Sequence, residues 1–127
     1  MLGISMLGLS ESMALGKRLG LDLQLLGDII NTSTGQSWAS STNFPVPSVT
    51  IGSTDPPAHR DYAGGFVTKL QYKDLALARN AAEVSGAPSI LGKLTEETFR
   101  KIAQEGHPYA NKDFSIIYKY VDEDYKS

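Results

Sequence analysis

From Gly64 to Gly86 the chain reads GGFVTKLQYKDLALARNAAEVSG, with neither proline nor glycine after the opening pair until Gly86. At about 100° per residue, Phe66, Val67, Leu70, Leu77, Ala78, Ala81 and Val84 fall on one arc, which predicts an amphipathic helix ending near Ser85. Two charges interrupt the pattern. Asp74 lies near the middle of the arc and Lys73 at its edge. A charge is costly to bury unless it is paired. Either the two residues form an ion pair at the rim of a core, or this face meets a ligand, a partner or another charged group.

The flanking segments follow the same period. Met1–Leu19 is apolar on nearly every side, with Leu2, Met6, Leu9, Met13 and Leu19 roughly aligned and Gly3, Gly8 and Gly16 interspersed. That composition suits a helix buried among others, with glycines that permit close approach. Gly20 is a stop signal and Asp22 a cap for a second helix from Leu23 to about Thr32, striped by Leu25, Leu26, Ile29 and Ile30. Asn31–Ser41 is polar around Gly35 and predicts a turn and a short helix. Its Trp38, the single tryptophan of the chain, reads most simply as a cover for a core edge. Asn43–Ala63 carries Pro45, Pro47, Pro56 and Pro57, which argues for a long irregular connection rather than a paired strand. After Gly86, Pro88 opens a helix to about Glu105, striped by Ile90, Leu91, Leu94, Thr98 and Ile102. Gly106 and Pro108 end it, His107 falls in the loop between them, and Asp113 caps a closing helix with Phe114, Ile117, Tyr118 and Val121. The tail DEDYKS reads as a solvated end. No alternating strand pattern stands out, so the prediction is one all-α multi-helix bundle spanning residues 1–127.

Composition narrows the chemistry. With 127 residues, the chain suffices for one domain with a real core. A net charge of −2 supplies neither a basic face for nucleic acid nor a polybasic patch for a membrane surface. No apolar run approaches a bilayer span. The absence of cysteine excludes disulfides and thiolate metal sites, and the two histidines are too far apart for ligand spacing, so no metal site is expected. A GxGxxG fingerprint after a strand does not occur.

The run GGF, three residues, Leu, two residues and KDLALA resembles the cofactor-side signature of the β-hydroxyacid dehydrogenases, and within them 3-hydroxyisobutyrate dehydrogenase. MLGISMLGLSESMALGKRLGLD is similar to the long first helix of that family's C-terminal domain. NTSTGQSWAS resembles its next short signature, NFPVPSV its proline-rich connection and KDFSIIYKYV its closing helix. These five stretches, in the family's order, cover nearly the whole chain.

The resemblance implies the C-terminal domain of a two-domain enzyme. In such an enzyme a Rossmann domain precedes this segment and holds NAD. A catalytic lysine and an asparagine stand on the same long helix within about two turns before Met1. No catalytic residue is therefore expected in this chain, which alone should not transfer hydride. The implied reaction is NAD-dependent oxidation of 3-hydroxyisobutyrate to methylmalonate semialdehyde, in valine catabolism. Phe66 and Lys73 match positions that contact the cofactor. Asp74 and Trp38 are expected at the substrate cleft, with Asp74 orienting the lysine or fixing Lys73. Gln36 stands where the family often has arginine, and no role is assigned to it. The resemblance further implies subunit contacts through the first helix, giving a dimer or tetramer. It also implies the mitochondrial matrix for a eukaryotic member and the cytoplasm for a bacterial one. A glyoxylate or tartronate semialdehyde reductase, and a non-catalytic helical dimerisation domain, are the competing readings.

Overall fold

A computed structural model describes residues 1–125 of the chain. The main helices are α1 (Leu2–Arg18), α2 (Leu23–Asn31), α3 (Trp38–Ser41), α4 (Thr68–Ser85), α5 (Ile90–Ile102) and α6 (Ile117–Lys119). A 3₁₀ turn, Phe114–Ile116, leads into α6, and a π-helical turn, Tyr120–Asp124, follows it. Another 3₁₀ turn, Pro57–Arg60, interrupts the proline-rich connection. The described residues contain no strand, only an isolated antiparallel bridge between Val67 and Asp113. The fold is all-α, and Lys126 and Ser127 of the predicted tail lie outside the described residues.

Helix α1 is the centre of the bundle, touching α2, α3, α5 and α6. Met6 and Met13 are fully buried on it, and a Cβ on Gly16 would overlap the Leu26 side chain of α2, so glycine there lets the two helices approach closely. The Asp22 carboxylate accepts a 3.0 Å hydrogen bond from the Leu25 amide and starts α2. Phe44, Val49, Phe99, Ile102, Phe114, Ile116 and Ile117 complete the core. Each large apolar side chain sealed in this way contributes about 1.5–3 kcal/mol by transfer from water. The loop residues Phe44 and Val49 thus belong to the core although their segment has no regular structure.

Helices α4 and α5 form a closely packed antiparallel hairpin, tied by a 2.8 Å bond from Arg79 to the buried carboxylate of Glu96. Here the predicted burial is reversed. The inner face of α4 consists of Thr68, Gln71 and Leu75, while Leu70, Leu77 and Val84 are exposed at 40%, 62% and 82%. On α5 the buried residues are Thr95, Glu96, Phe99 and Ile102, and Ile90, Leu91 and Leu94 face outward. Leu25 and Ile29 of α2 are likewise exposed. The arcs are real, but they look away from this chain's own core.

Three local expectations are also corrected. α4 starts at Thr68 rather than at the glycines, because the carbonyls of Ala110 and Lys112 accept its first amides. Pro88 precedes α5, whose N-cap is Ser89. Trp38 is 53% exposed rather than sealed over a core edge, whereas Ala39 and Ser40 beside it are buried. The start of the acidic tail is not simply solvated either: Asp122 pairs with Lys17 and Arg18 of α1, and Asp124 accepts from the Tyr109 hydroxyl.

Candidate functional site

The approach to α4 is a tight crossing of two loops. Asp61 and Tyr62 both have left-handed backbones, with φ of 53° and 57°, and Gly64 and Gly65 follow with φ of 76° and 67°. Left-handed backbone is unfavourable for residues with a side chain, so neighbouring structure must hold this run in place. The Tyr62 hydroxyl donates to the buried carbonyl of Pro45 at 2.8 Å, and burial raises its phenol pKa well above the ordinary range. The Lys112 ammonium donates to the carbonyl and carboxylate of Asp61. That hydrogen bond holds the Asp61 carboxyl below its usual pKa range.

Asp113 is the knot of the crossing. Its side chain is almost wholly buried. Oδ2 accepts from the Phe66 amide at 2.8 Å, and Oδ1 accepts from Asn43 Nδ2 and the Ser115 amide, each at 3.0 Å. The Asp113 amide donates to Tyr62 O and the Phe114 amide to Phe66 O, both at 2.8 Å. A Cβ at Gly65 would overlap Asp113 Oδ2, so this turn tolerates only glycine. The Phe66 ring then meets Phe114 edge-on, 6.3 Å between centroids, and remains 39% exposed.

Two concavities meet at that ring. A cleft of about 390 Å³ is lined by Met1, Leu2, Gly3, Phe66, Gln71, Asp74 and Leu75. A second hollow of about 280 Å³ lies between Trp38, Asn43, Pro57, Gly65, Phe66 and Asp113. The structure therefore brings Phe66 and Asp74 together at the first turn of α1, and Trp38 to the other side of Phe66. Lys73 stands beside the cleft, its Nζ 3.0 Å from Asp74 Oδ1, with both side chains more than half exposed. The ion pair forms, but on the open face of α4 rather than at the rim of a core.

A larger concavity, about 460 Å³ between Lys17, Tyr62, Tyr118 and Asp122, contains none of Phe66, Lys73, Asp74 and Trp38. Some of its charged groups are already paired within the chain, Lys17 with Asp122 and Asp61 with Lys112, which makes it the weaker candidate. Gln36 does not line either motif cleft. Among the described residues no group of three or more His, Cys, Asp or Glu is placed to hold a metal ion, and no helix is long and apolar enough to cross a membrane.

Residues 1–121 match a family model described as the NAD-binding domain of NADP-dependent 3-hydroxyisobutyrate dehydrogenase. The chain belongs to this family. It is 47% identical over 118 residues to the mitochondrial 3-hydroxyisobutyrate dehydrogenase of Drosophila melanogaster, covering 93% of this chain and 35% of that protein. It is 43% identical over 124 residues to the human mitochondrial enzyme of the same name, covering 98% and 35%. An NAD-dependent L-serine dehydrogenase of Pseudomonas aeruginosa is 38% identical over 96% of the chain and 39% of the relative. A solved structure of Mycobacterium tuberculosis 3-hydroxyisobutyrate dehydrogenase with L-serine superposes with a TM-score of 0.84 at 36% identity, over 94% of this chain and 39% of that one. The chain thus spans a little over a third of the length of these relatives and corresponds to the family's C-terminal domain.

Asp113 was legible in the sequence only as a helix cap, which it is. Its larger part in the site depends on contacts to residues 43 and 66, far away in the chain. No spacing rule reports such contacts.

Proposed function

We propose that this chain is the cofactor-side and cleft-closing domain of an NAD-dependent 3-hydroxyisobutyrate dehydrogenase. The observation that carries the reading is the meeting of Phe66 and Asp74 in one cleft at the start of α1, in a chain whose family is that of the dinucleotide-dependent hydroxyacid dehydrogenases. The residues present suit such a cofactor. An exposed aromatic ring offers an apolar face to a nicotinamide, and a solvent-reachable ammonium offers a cation to the anionic dinucleotide. Bound there, the dinucleotide supplies the hydride acceptor.

Phe66 orients that group and excludes water on one side of the cleft. Lys73 attracts negative charge, and Asp74 at 3.0 Å fixes where the ammonium stands. Asp74 also shares the cleft with Met1, and there it orients an incoming basic group. Trp38 walls the far side of Phe66. The proton acceptor for the substrate hydroxyl belongs to residues outside this chain, so the chain alone should be inactive. The outward apolar faces of α4 and α5 fit this reading, since contiguous exposed apolar surface marks an interface. They supply contacts for a dinucleotide-binding domain, while the exposed Leu2 and Leu15 of α1 serve the subunit contacts implied for the first helix.

The test is a steady-state assay of a protein in which this chain is joined to its dinucleotide-binding domain, followed through nicotinamide absorbance. Oxidation of 3-hydroxyisobutyrate with NAD⁺ at a higher kcat/KM than with NADP⁺ supports the reading. Activity restricted to unrelated substrates refutes it. L-serine is the second substrate to assay, because one relative is named for it and one solved structure contains it.

A further inference from the structure

We propose that Asp113 is a positioning residue of this site: its buried carboxylate holds the Gly64–Phe66 turn and thereby sets where the Phe66 ring stands in the cleft. The inference rests on the reading of Phe66 given above and adds a residue that does not itself need to touch a ligand.

Three observations carry it. First, the carboxylate is 1% exposed, has no cation within ion-pair distance among the described residues, and is compensated entirely by N–H donors. One of these is the amide of Phe66 itself, so moving the carboxylate moves the residue that carries the ring. Second, the fit at Gly65 leaves no slack, because even a methyl group there would collide with Oδ2. Third, the cluster contains buried polar atoms that no protein group satisfies. Asn43 gives its amide N–H to Asp113, while Asn43 Oδ1 and Ser115 Oγ remain buried without a partner. Buried orphan polar atoms are rare in folded proteins and call for a reason. Here Asn43 and Asp113 line the hollow beside Phe66 and Trp38. A plain helix cap would need only the bond to the Ser115 amide. The other two bonds tie the cap to Asn43 and to the Phe66 main chain, both of which line this hollow.

The role differs from that of a cleft residue. Asp113 reaches the cleft through the main chain of residue 66, whereas Lys73 and Asp74 reach it with their own side chains. Replacing one carboxylate oxygen with an amide NH₂ puts a donor against the donor of Phe66 or of Asn43 and Ser115, so the turn must shift.

The experiment uses the joined dehydrogenase and compares Asp113→Asn, Phe66→Ala and a remote core control, Ile102→Val, with NAD⁺ as the varied substrate. Asp113→Asn is expected to raise the KM for NAD⁺ about tenfold, the scale of effect produced by small misplacements near a reacting centre. Ile102→Val, which loosens the fully buried core away from the cleft, should leave KM unchanged. In the isolated chain, Asp113→Asn should also speed hydrogen exchange at the Phe66 amide. If Asp113→Asn cannot be folded, Asn43→Ala removes one of the three donors and should raise KM about threefold. An unaltered KM in the folded Asp113 variant, or in the Asn43 variant when that must stand in, overturns the inference, provided Phe66→Ala does raise KM. If Phe66→Ala itself leaves KM unchanged, the reading of the site falls first, and this inference falls with it.

Discussion

Gly65→Ala, compared with Gly20→Ala, separates two costs that usually arrive together. Both glycines have left-handed backbone, φ 67° and 75°, so both substitutions incur a conformational penalty of about 1 kcal/mol. At Gly20 nothing lies within 4 Å of the new Cβ, and the expected loss stops there. At Gly65 the new Cβ overlaps Asp113 Oδ2 and stands 3.0 Å from Pro57 Cγ. The carboxylate is buried and held by three donors, so it cannot swing clear without breaking at least one charged hydrogen bond, worth about 1.5–3 kcal/mol. The Gly65 variant should therefore lose about 2.5–4 kcal/mol, and the difference between the two variants should be about 1.5–3 kcal/mol. Urea unfolding of the isolated chain followed by circular dichroism measures both, with an unchanged m-value confirming that stability alone has moved. A Gly65 loss no greater than the Gly20 loss would refute the idea that the carboxylate is rigidly seated.

Other outcomes follow from the same geometry. Phe44→Ala, at a fully buried ring in an irregular loop, should cost about 3–5 kcal/mol in the same assay, which would place that loop in the core energetically as well as spatially. The Asp61 carboxyl is held below its usual range chiefly by the hydrogen bond from Lys112. Its contribution is therefore present at neutral pH and lost as pH falls through the carboxylate range. Accordingly, the urea midpoints of wild type and Lys112→Met should differ at neutral pH and converge in acid. Leu77→Gln and Leu94→Gln, both on outward faces, should change the stability of the isolated chain by less than about 0.5 kcal/mol. In the joined enzyme the same changes should weaken subunit or domain association, as read by sedimentation.

Much of the helical order could be read from the sequence because its causes are local. The Asp22 cap and the left-handed Gly86 that closes α4 act within one turn, and short-range rules capture them. The facing of α4 and α5 could not be read, because periodicity identifies an apolar stripe without saying what covers it. Thr68 and Gln71 point inward because α4 lies over the first turn of α1 and the 110–112 carbonyls, where small or polar groups fit; Gln71 Nε2 lies just above the bare Gly3. The leucines are left for another surface. The same limit applies to the site. Phe66, Lys73 and Asp74 share one short motif, and that motif alone singles them out as candidates. Asp113 and Asn43 meet Phe66 only through folding, across separations of 47 residues for Asp113–Phe66 and 70 for Asn43–Asp113. The size of Trp38 suggests a core edge and the family resemblance a cleft; it stands at the hollow beside Phe66.

The most direct measurement of the proposed function is the KM for NAD⁺ of the joined dehydrogenase carrying Lys73→Ala. Lys73 is exposed and its ion-pair partner is the adjacent Asp74, so removing its charge leaves the fold intact and changes only what the cleft presents to an anion. A rise of about tenfold in KM with kcat little altered is the expected result, as for loss of a uniform binding contact. An unchanged KM would take Lys73 out of the cofactor site and leave the Lys73–Asp74 pair as surface decoration.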